Sequence, residues 1–266
     1  RAKDFLSIYT SDGLVQTLAE RIRTPKPENI HLKGLSGSLD AVTFASVCKS
    51  VRASHLIILH DKEEASYFLN DLQHLLGEKE IQFFPMSYKH AYEYDETENA
   101  NILMRSEVLT LISDHPDGQI IVTYPEALVE KVINKKSLTN NTFSIKKGEN
   151  LNSNFLEDFF HTYDFEKTDF VYEAGQFAIR GGIIDVFSFS HDHPYRIELF
   201  GDEVESIRSF DPGSQLSVEV LDKISLMPNV QTRLVQEERI SVLDFISPNT
   251  RVWIKDTELV SDVLTK

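Results

Sequence analysis

Apolar and polar positions follow two rhythms along this chain of 266 residues. The first is helical and strand-like by turns. Asp12–Ile22 carries Leu14, Val15, Leu18 and Ile22 at helical spacing, and Pro25 and Pro27 end the pattern. Ile30–Leu32 predicts a short strand, followed by the loop Gly34–Ser38 and a helix over Leu39–Val51. His55–His60 (HLIILH) reads as a buried parallel strand. Asp61, with Glu64 three residues on, predicts a capped helix whose apolar face is Ala65, Phe68, Leu69, Leu72, Leu75 and Leu76. Ile81–Phe84 is the next strand, closed by Pro85. Met86–Glu98 shows no periodicity and predicts a loop, whose tyrosines 88, 92 and 94 cover a core edge or stack on something else. Ala100–Ile112 predicts a helix, Gln119–Tyr124 a buried strand, and Pro125 the start of a helix to about Ile133. Strand and helix alternate with short connections, which implies a parallel sheet covered on both faces.

The rhythm then changes. Lys135–Asn141 reads as a polar linker, Thr142–Lys146 as a strand, and Leu151–Tyr163 as a helix burying Leu151, Phe155, Leu156, Phe159 and Phe160. From Phe170 to Leu216, four short apolar runs are separated by Ala174-Gly175, Gly181-Gly182, Gly201-Asp202 and Asp211-Pro212-Gly213, the pattern of an antiparallel meander. Beyond Met227-Pro228-Asn229, a helix over Gln236–Ile246, a strand over Thr250–Ile254 and a helix from Glu258 return to the first rhythm. The expected fold is α/β. A P-loop-like parallel-sheet domain spans residues 1–134, an inserted α+β domain built on the meander spans 135–228, and a return segment, 229–266, packs on the first domain.

Charge changes the picture more than composition does. With 42 Asp+Glu against 27 Lys+Arg, the net charge is −15. Such a body repels phosphates and suits a protein partner with basic surfaces. Lys135-Lys136 and Lys146-Lys147 are isolated pairs, read as solvated loop charges. No apolar run approaches the roughly 18 residues of a membrane span, so no membrane partner is expected. The chain starts at Arg1, as a fragment or processed form does, and shows no signal peptide. The lone Cys48 forms no internal disulfide, reads as a small buried hydrophobe and fits a cytoplasmic setting.

Strand, glycine-rich loop and helix at residues 30–51 form the context of a phosphate-binding P-loop. The pattern GxxxxGK[ST] framed on Gly34 has Gly37 and Ser38 at unspecified positions and places Leu39 at the second Gly, Asp40 at the Lys and Ala41 at the hydroxyl. Asp40 repels a phosphate, Ala41 cannot hold Mg²⁺, and Leu39 blocks close backbone approach. The alternative is an ordinary loop with Ser38 capping the helix. His191-Asp192-His193 has metal-ligand residue types, but at this spacing on a loop it reads as a solvated turn. No catalytic residue, metal site or cofactor is expected.

The segment EAGQFAIRGGIIDVF (Glu173–Phe187), followed by YRIELFGDEVESIRSFDPGSQLS (Tyr195–Ser217), strongly resembles the N-terminal region of bacterial transcription-repair coupling factors (Mfd). It is similar to the module those proteins share with the excision-repair protein UvrB. GLSGS (Gly34–Ser38), the Glu98–Leu109 run and VTYPEALVEKV (Val122–Val132) agree with it. The resemblance implies a UvrB-like scaffold whose ATPase and damage-probing hairpin are lost, since Met86–Glu98 is too short for that hairpin. It implies that the meander domain docks UvrA, and that RNA polymerase and DNA are contacted only by parts of the longer protein outside this chain, including an ATP-dependent DNA translocase. The alternatives are a UvrB-type repair ATPase or helicase fragment, and a DNA-binding module.

The UvrB pattern FRVRG corresponds to Phe177-Ala178-Ile179-Arg180-Gly181, so Arg180 keeps one docking arginine and Ala178 replaces another. A third falls near Lys167, which keeps the charge without the planar fork. Phe177 and Phe187 are the candidate anchors, with core burial as the alternative. Gly181 makes the turn. Arg180 ends a strand at a sheet rim, placed either for a partner's carboxylate or for internal pairing with Asp185 or Glu198.

Overall fold

The computed structural model describes residues 2–24, 28–77, 81–90, 93–97, 99–134, 136, 138, 142–189, 191–229 and 239–265. The chain divides into two compact units, residues 1–85 with 111–130 and 242–266, and residues 86–110 with 131–241.

The first unit is organised on a four-stranded, all-parallel sheet. Its strand order is Arg251–Ile254, His55–Ile58, Ile120–Thr123, Ile81–Phe83. The two central strands are buried at every position, which is why their sequences are apolar apart from His55 and Thr123, while the edge strand Arg251–Ile254 alternates in burial. Arg251–Ile254 pairs in register with His55–Ile58, so the C-terminal segment completes this sheet. The Gly13–Arg23 helix is capped by the Asp12 carboxylate, which accepts from the Leu14 and Val15 amides. It packs Val15, Leu18, Ala19 and Ile22 against Val47 and Val51. Asp61 caps the Lys62–Leu76 helix by accepting from the Glu64 amide, and Glu64 in return accepts from the His60 amide at 3.0 Å.

The second unit is organised on a six-stranded sheet ordered Ser217–Leu221, Glu203–Phe210, Tyr195–Phe200, Ile183–Val186, Gln176–Arg180, Glu166–Lys167. Neighbours are antiparallel except for the last pair, which is parallel. The meander read from the sequence is therefore present, and the fold is mixed α/β, with a parallel sheet in the first unit and a mainly antiparallel one in the second. Asn152 caps the Ser153–Thr162 helix, whose Leu156 and Phe160 are buried. The Phe160 ring lies 4.6 Å from Phe177 and 5.3 Å from Phe165, centroid to centroid.

Several local expectations are corrected. Ile30–Leu32 joins no strand; Ile30 packs on the helical core while His31 and Leu32 are exposed, so the run is too short to bury a strand face. Within Met86–Glu98, Tyr88–His90 and Glu93–Thr97 pair as a hairpin, which a sequence without apolar alternation does not predict; Tyr92 lies outside the described residues. The helix starting at Pro125 stops at Val129, because the β-branched Val132 and Ile133 pair with Ile240 and Arg239. Of the expected helix over Gln236–Ile246, Arg239–Ile240 is strand and only Val242–Phe245 is helix, the residues before Arg239 lying outside the described set. Cys48 is half-buried. Among the described residues, no helix is long and apolar enough to cross a membrane.

Candidate functional site

Two places gather the residues singled out from the sequence, one in each unit. In the first, Gly34–Ser38 leads into the Leu39–Ser50 helix. Gly37 has a φ of +60°, a left-handed conformation that glycine adopts without cost. Ser38 stands at the N-cap but its hydroxyl makes no capping bond. Asp40 supplies the side-chain bond instead, accepting from the Ala41 amide at 2.7 Å, while its Oδ2 pairs with Lys255 Nζ. A carboxylate is thus placed at the positive end of a helix, where an anionic ligand would otherwise be favoured. Lys255 Nζ also lies 3.8 Å from Glu64 Oε1, Glu64 Oε2 meets His60 Nδ1, and His60 Nε2 is 3.9 Å from Asp256. The chain's own charges fill the carboxyl ends of the His55–Ile58 and Arg251–Ile254 strands.

The second place is one face of the six-stranded sheet. Side chains alternate across a strand, and the register fixes which of them share a face. Phe177, Ile184, Val186, Tyr195, Ile197 and Ile207 line the buried face. The opposite face carries Ala178, Arg180, Ile183, Asp185, Arg196, Glu198, Ser206, Arg208 and Val220. Phe177 and the adjacent Phe187 are buried, so neither ring has surface to offer as a docking anchor; alternation put Phe177 on the core side.

Arg180 pairs with Asp185, not with Glu198, and its Nη1 donates to the Asp169 carbonyl oxygen. Its guanidinium lies over the Phe170 ring, 5.3 Å from the centroid. Even so, 37% of its side chain is exposed. Lys167 pairs with Glu157 at 2.5 Å on the edge strand. Gly181 (φ +60°) makes the turn, and a Cβ on Gly182 would meet the Leu199 carbonyl oxygen at 2.7 Å, so the hairpin closes only with glycine there.

Sequence reasoning missed Arg196, Arg208 and the exposed aromatics. Arg196 forks both oxygens of Asp185, at 2.7 and 2.9 Å, and lies over the Phe210 ring at 4.6 Å. Asp185 holds the Arg196 guanidinium above its ordinary pKa. Arg208 pairs with Glu198 on the same face. Phe170, Tyr172 and Val220 are more than half exposed, and Phe200, at the Gly201 turn, is 79% exposed. The signal was available: Arg196, Glu198 and Arg208 occupy the polar positions of alternating strands. In the His191–His193 turn, His191 and Asp192 are exposed, as the sequence reading expects; burial, then the charge of Asp192, raises Glu107 to about 8.

Residues 143–231 match the family model of the UvrB interaction domain, which covers the whole of this sheet. The chain is 28% identical over 254 residues to the transcription-repair-coupling factor of Bacillus subtilis (strain 168), covering 95% of this chain and 20% of that protein. To the transcription-repair-coupling factor of Myxococcus xanthus it is 27% identical over 218 residues, 80% of this chain and 18% of the relative. To the UvrABC system protein B of Methanococcus maripaludis it is 23% identical over 261 residues, 93% of this chain and 40% of the relative. The chain spans about a fifth of the length of the coupling factors it matches. The resemblance read from its residues is borne out.

Proposed function

We propose that this chain, a homologue of transcription-repair-coupling factors and of UvrB that carries a UvrB interaction domain, is a non-catalytic docking module that recruits UvrA. The observation that carries this reading is the coincidence of the matched domain with a sheet whose open face exposes Arg180 beside Phe170. The buried Ala178 and Asp185 support that face, and the partly exposed arginine suits a charge-assisted contact with a partner's carboxylate. The docking domain is the insert of residues 135–228, with Arg180 central, Lys167 at the edge and Gly181 closing the hairpin. Phe170 and Phe200 replace Phe177 and Phe187 as the anchors.

The loop Gly34–Ala41 is read as a P-loop that has lost its chemistry. Asp40 stands where the phosphate-binding lysine is needed, and Lys255 neutralises it from within the chain. A phosphate entering here meets a carboxylate at the helix end. The longer protein's RNA polymerase and DNA contacts, and its ATP-driven translocation, are assigned to segments outside this chain. A coupling factor at a stalled polymerase would then present a UvrB-like surface and bring UvrA to the lesion, in the cytoplasm.

Size-exclusion chromatography of the chain mixed with UvrA tests the reading. Co-elution of the two is expected. Separate elution at micromolar concentrations of both would remove the docking function from this chain.

A further inference from the structure

On the open face of the sheet, Asp185 is fully buried although it carries a carboxylate. A buried charge persists only when it is paired and hydrogen-bonded. Asp185 is doubly paired: Oδ1 accepts from Arg196 Nε, and Oδ2 accepts from both Arg196 Nη2 and Arg180 Nη2. Each arginine is then tied down on a second side. Arg180 donates to the Asp169 carbonyl oxygen and lies over Phe170; Arg196 donates to Gln215 Oε1 at 3.3 Å and lies over Phe210. Gln215 itself sits at a φ of +60°, rare outside glycine, and donates to the Val171 and Pro212 carbonyl oxygens at 3.3 and 2.7 Å. The segment bearing the exposed Phe170 and Tyr172 is therefore anchored through Arg180 and Gln215, with Gln176 Oε1 accepting from the Tyr172 and Glu173 amides.

We propose that Asp185 is the positioning residue of the docking face, a buried carboxylate that never touches the partner but holds Arg180 and Arg196 as one rigid fork pair with the Phe170 segment beside them. This rests on the docking reading above. An arginine side chain is rich in rotamers, and fixing it beforehand removes that entropic cost from association. Two guanidiniums on one carboxylate also leave a net positive charge for an acidic group of UvrA.

The sign of one substitution separates positioning from simple attraction. Asp185→Asn makes the face more positive by one charge. If the arginines act only as summed charge, the variant binds an acidic partner more tightly. If Asp185 positions them, it binds more weakly, with Kd for UvrA raised roughly tenfold or more. Arg180→Ala combined with Asp185→Asn should then cost little more than Arg180→Ala alone, because the two act through one element. Asp185→Glu keeps the charge and displaces the fork by a methylene; it should weaken binding as well, and it serves if the Asn variant fails to fold. A second readout needs no partner: the Arg196 Nε–H and Arg180 Nη2–H signals should be protected from exchange in the wild type and lose that protection in Asp185→Asn. Wild-type binding with undiminished affinity in the Asn or Glu variant, or multiplicative losses in the double variant, overturns the positioning role alone. Absence of wild-type binding overturns the docking reading on which it rests.

Discussion

Lys255 reaches Asp40 across 215 residues of sequence and pairs with its carboxylate at the N-terminal end of a helix. The pair joins the strand end of Arg251–Ile254 to the loop that a nucleotide phosphate would otherwise approach. Both side chains are partly exposed, so the pair contributes about 1 kcal/mol or less to stability. Its consequence is electrostatic.

Millimolar Mg-ATP is expected to leave the melting temperature of the chain unchanged. A ligand that binds the native state at a hundred times its Kd adds about 2.7 kcal/mol and shifts the midpoint by several degrees. Differential scanning fluorimetry reads this directly. A rise of that size with Mg-ATP would restore the nucleotide-dependent reading and contradict the closed loop.

His55 should make the first unit acid-sensitive. Its ring is buried, accepts from Trp253 Nε1 at 3.0 Å and packs edge-on against Phe44. Burial, then the charge of Arg251, lowers its pKa from 6.5 to about 4. Between those values the unfolded chain binds one proton more than the folded one. Stability therefore falls as pH drops from 6.5 towards 4, by roughly 2 kcal/mol between pH 7 and 5. Urea titrations at a series of pH values should show that slope in the wild type and not in His55→Gln, which loses the ring contacts and is less stable throughout. A wild-type curve flat over this range would contradict the neutral ring.

Glu107 should give the second unit the opposite slope. Burial first, then the charge of Asp192 and their shared hydrogen bond, raise its carboxyl from 4.5 to about 8. The folded state holds a proton there that the unfolded state has released, so stability is lost as pH rises from 4.5 to 8. Glu107→Gln should remove the slope and stabilise the unit at pH 8 by on the order of 2 kcal/mol. Hydrogen exchange of amides in residues 143–226 measures it. Exchange slower at pH 8 than at pH 5, after correction for intrinsic rates, would contradict the raised carboxyl.

The parts legible in the sequence were those where one period dominates. HLIILH and QIIVTY are apolar in their central positions because their strands are covered on both faces, and the glycine turns at 181 and 201 mark the meander. Arg180 was found, and internal pairing with Asp185 stood as the alternative to partner contact; the structure shows that pairing together with partial exposure. Arg196 was not found, because its place beside Asp185 depends on the register of the Ile183–Val186 and Tyr195–Phe200 strands. Register follows from hairpin geometry and cross-strand packing, and residue order along one strand does not disclose it. The pairing of Lys255 with Asp40 was hidden for a related reason, since parallel neighbours are joined by long crossovers. For Phe177 the sequence leaves anchor and core burial as alternatives; counting by two from Arg180 puts it on the other face, and it is buried.

The docking account stands most directly on Arg180. Calorimetric titration of UvrA with the wild-type chain and with Arg180→Ala compares the two affinities under one salt condition. Removing a partly desolvated, charge-assisted contact should weaken binding by about 1–3 kcal/mol, while the sheet beneath it keeps its melting temperature within a few degrees. Saturable wild-type binding with that loss is the predicted result. Equal affinities for the two proteins would take Arg180 out of the interface, and a wild-type chain that gives no binding heat and no complex would contradict the account as a whole.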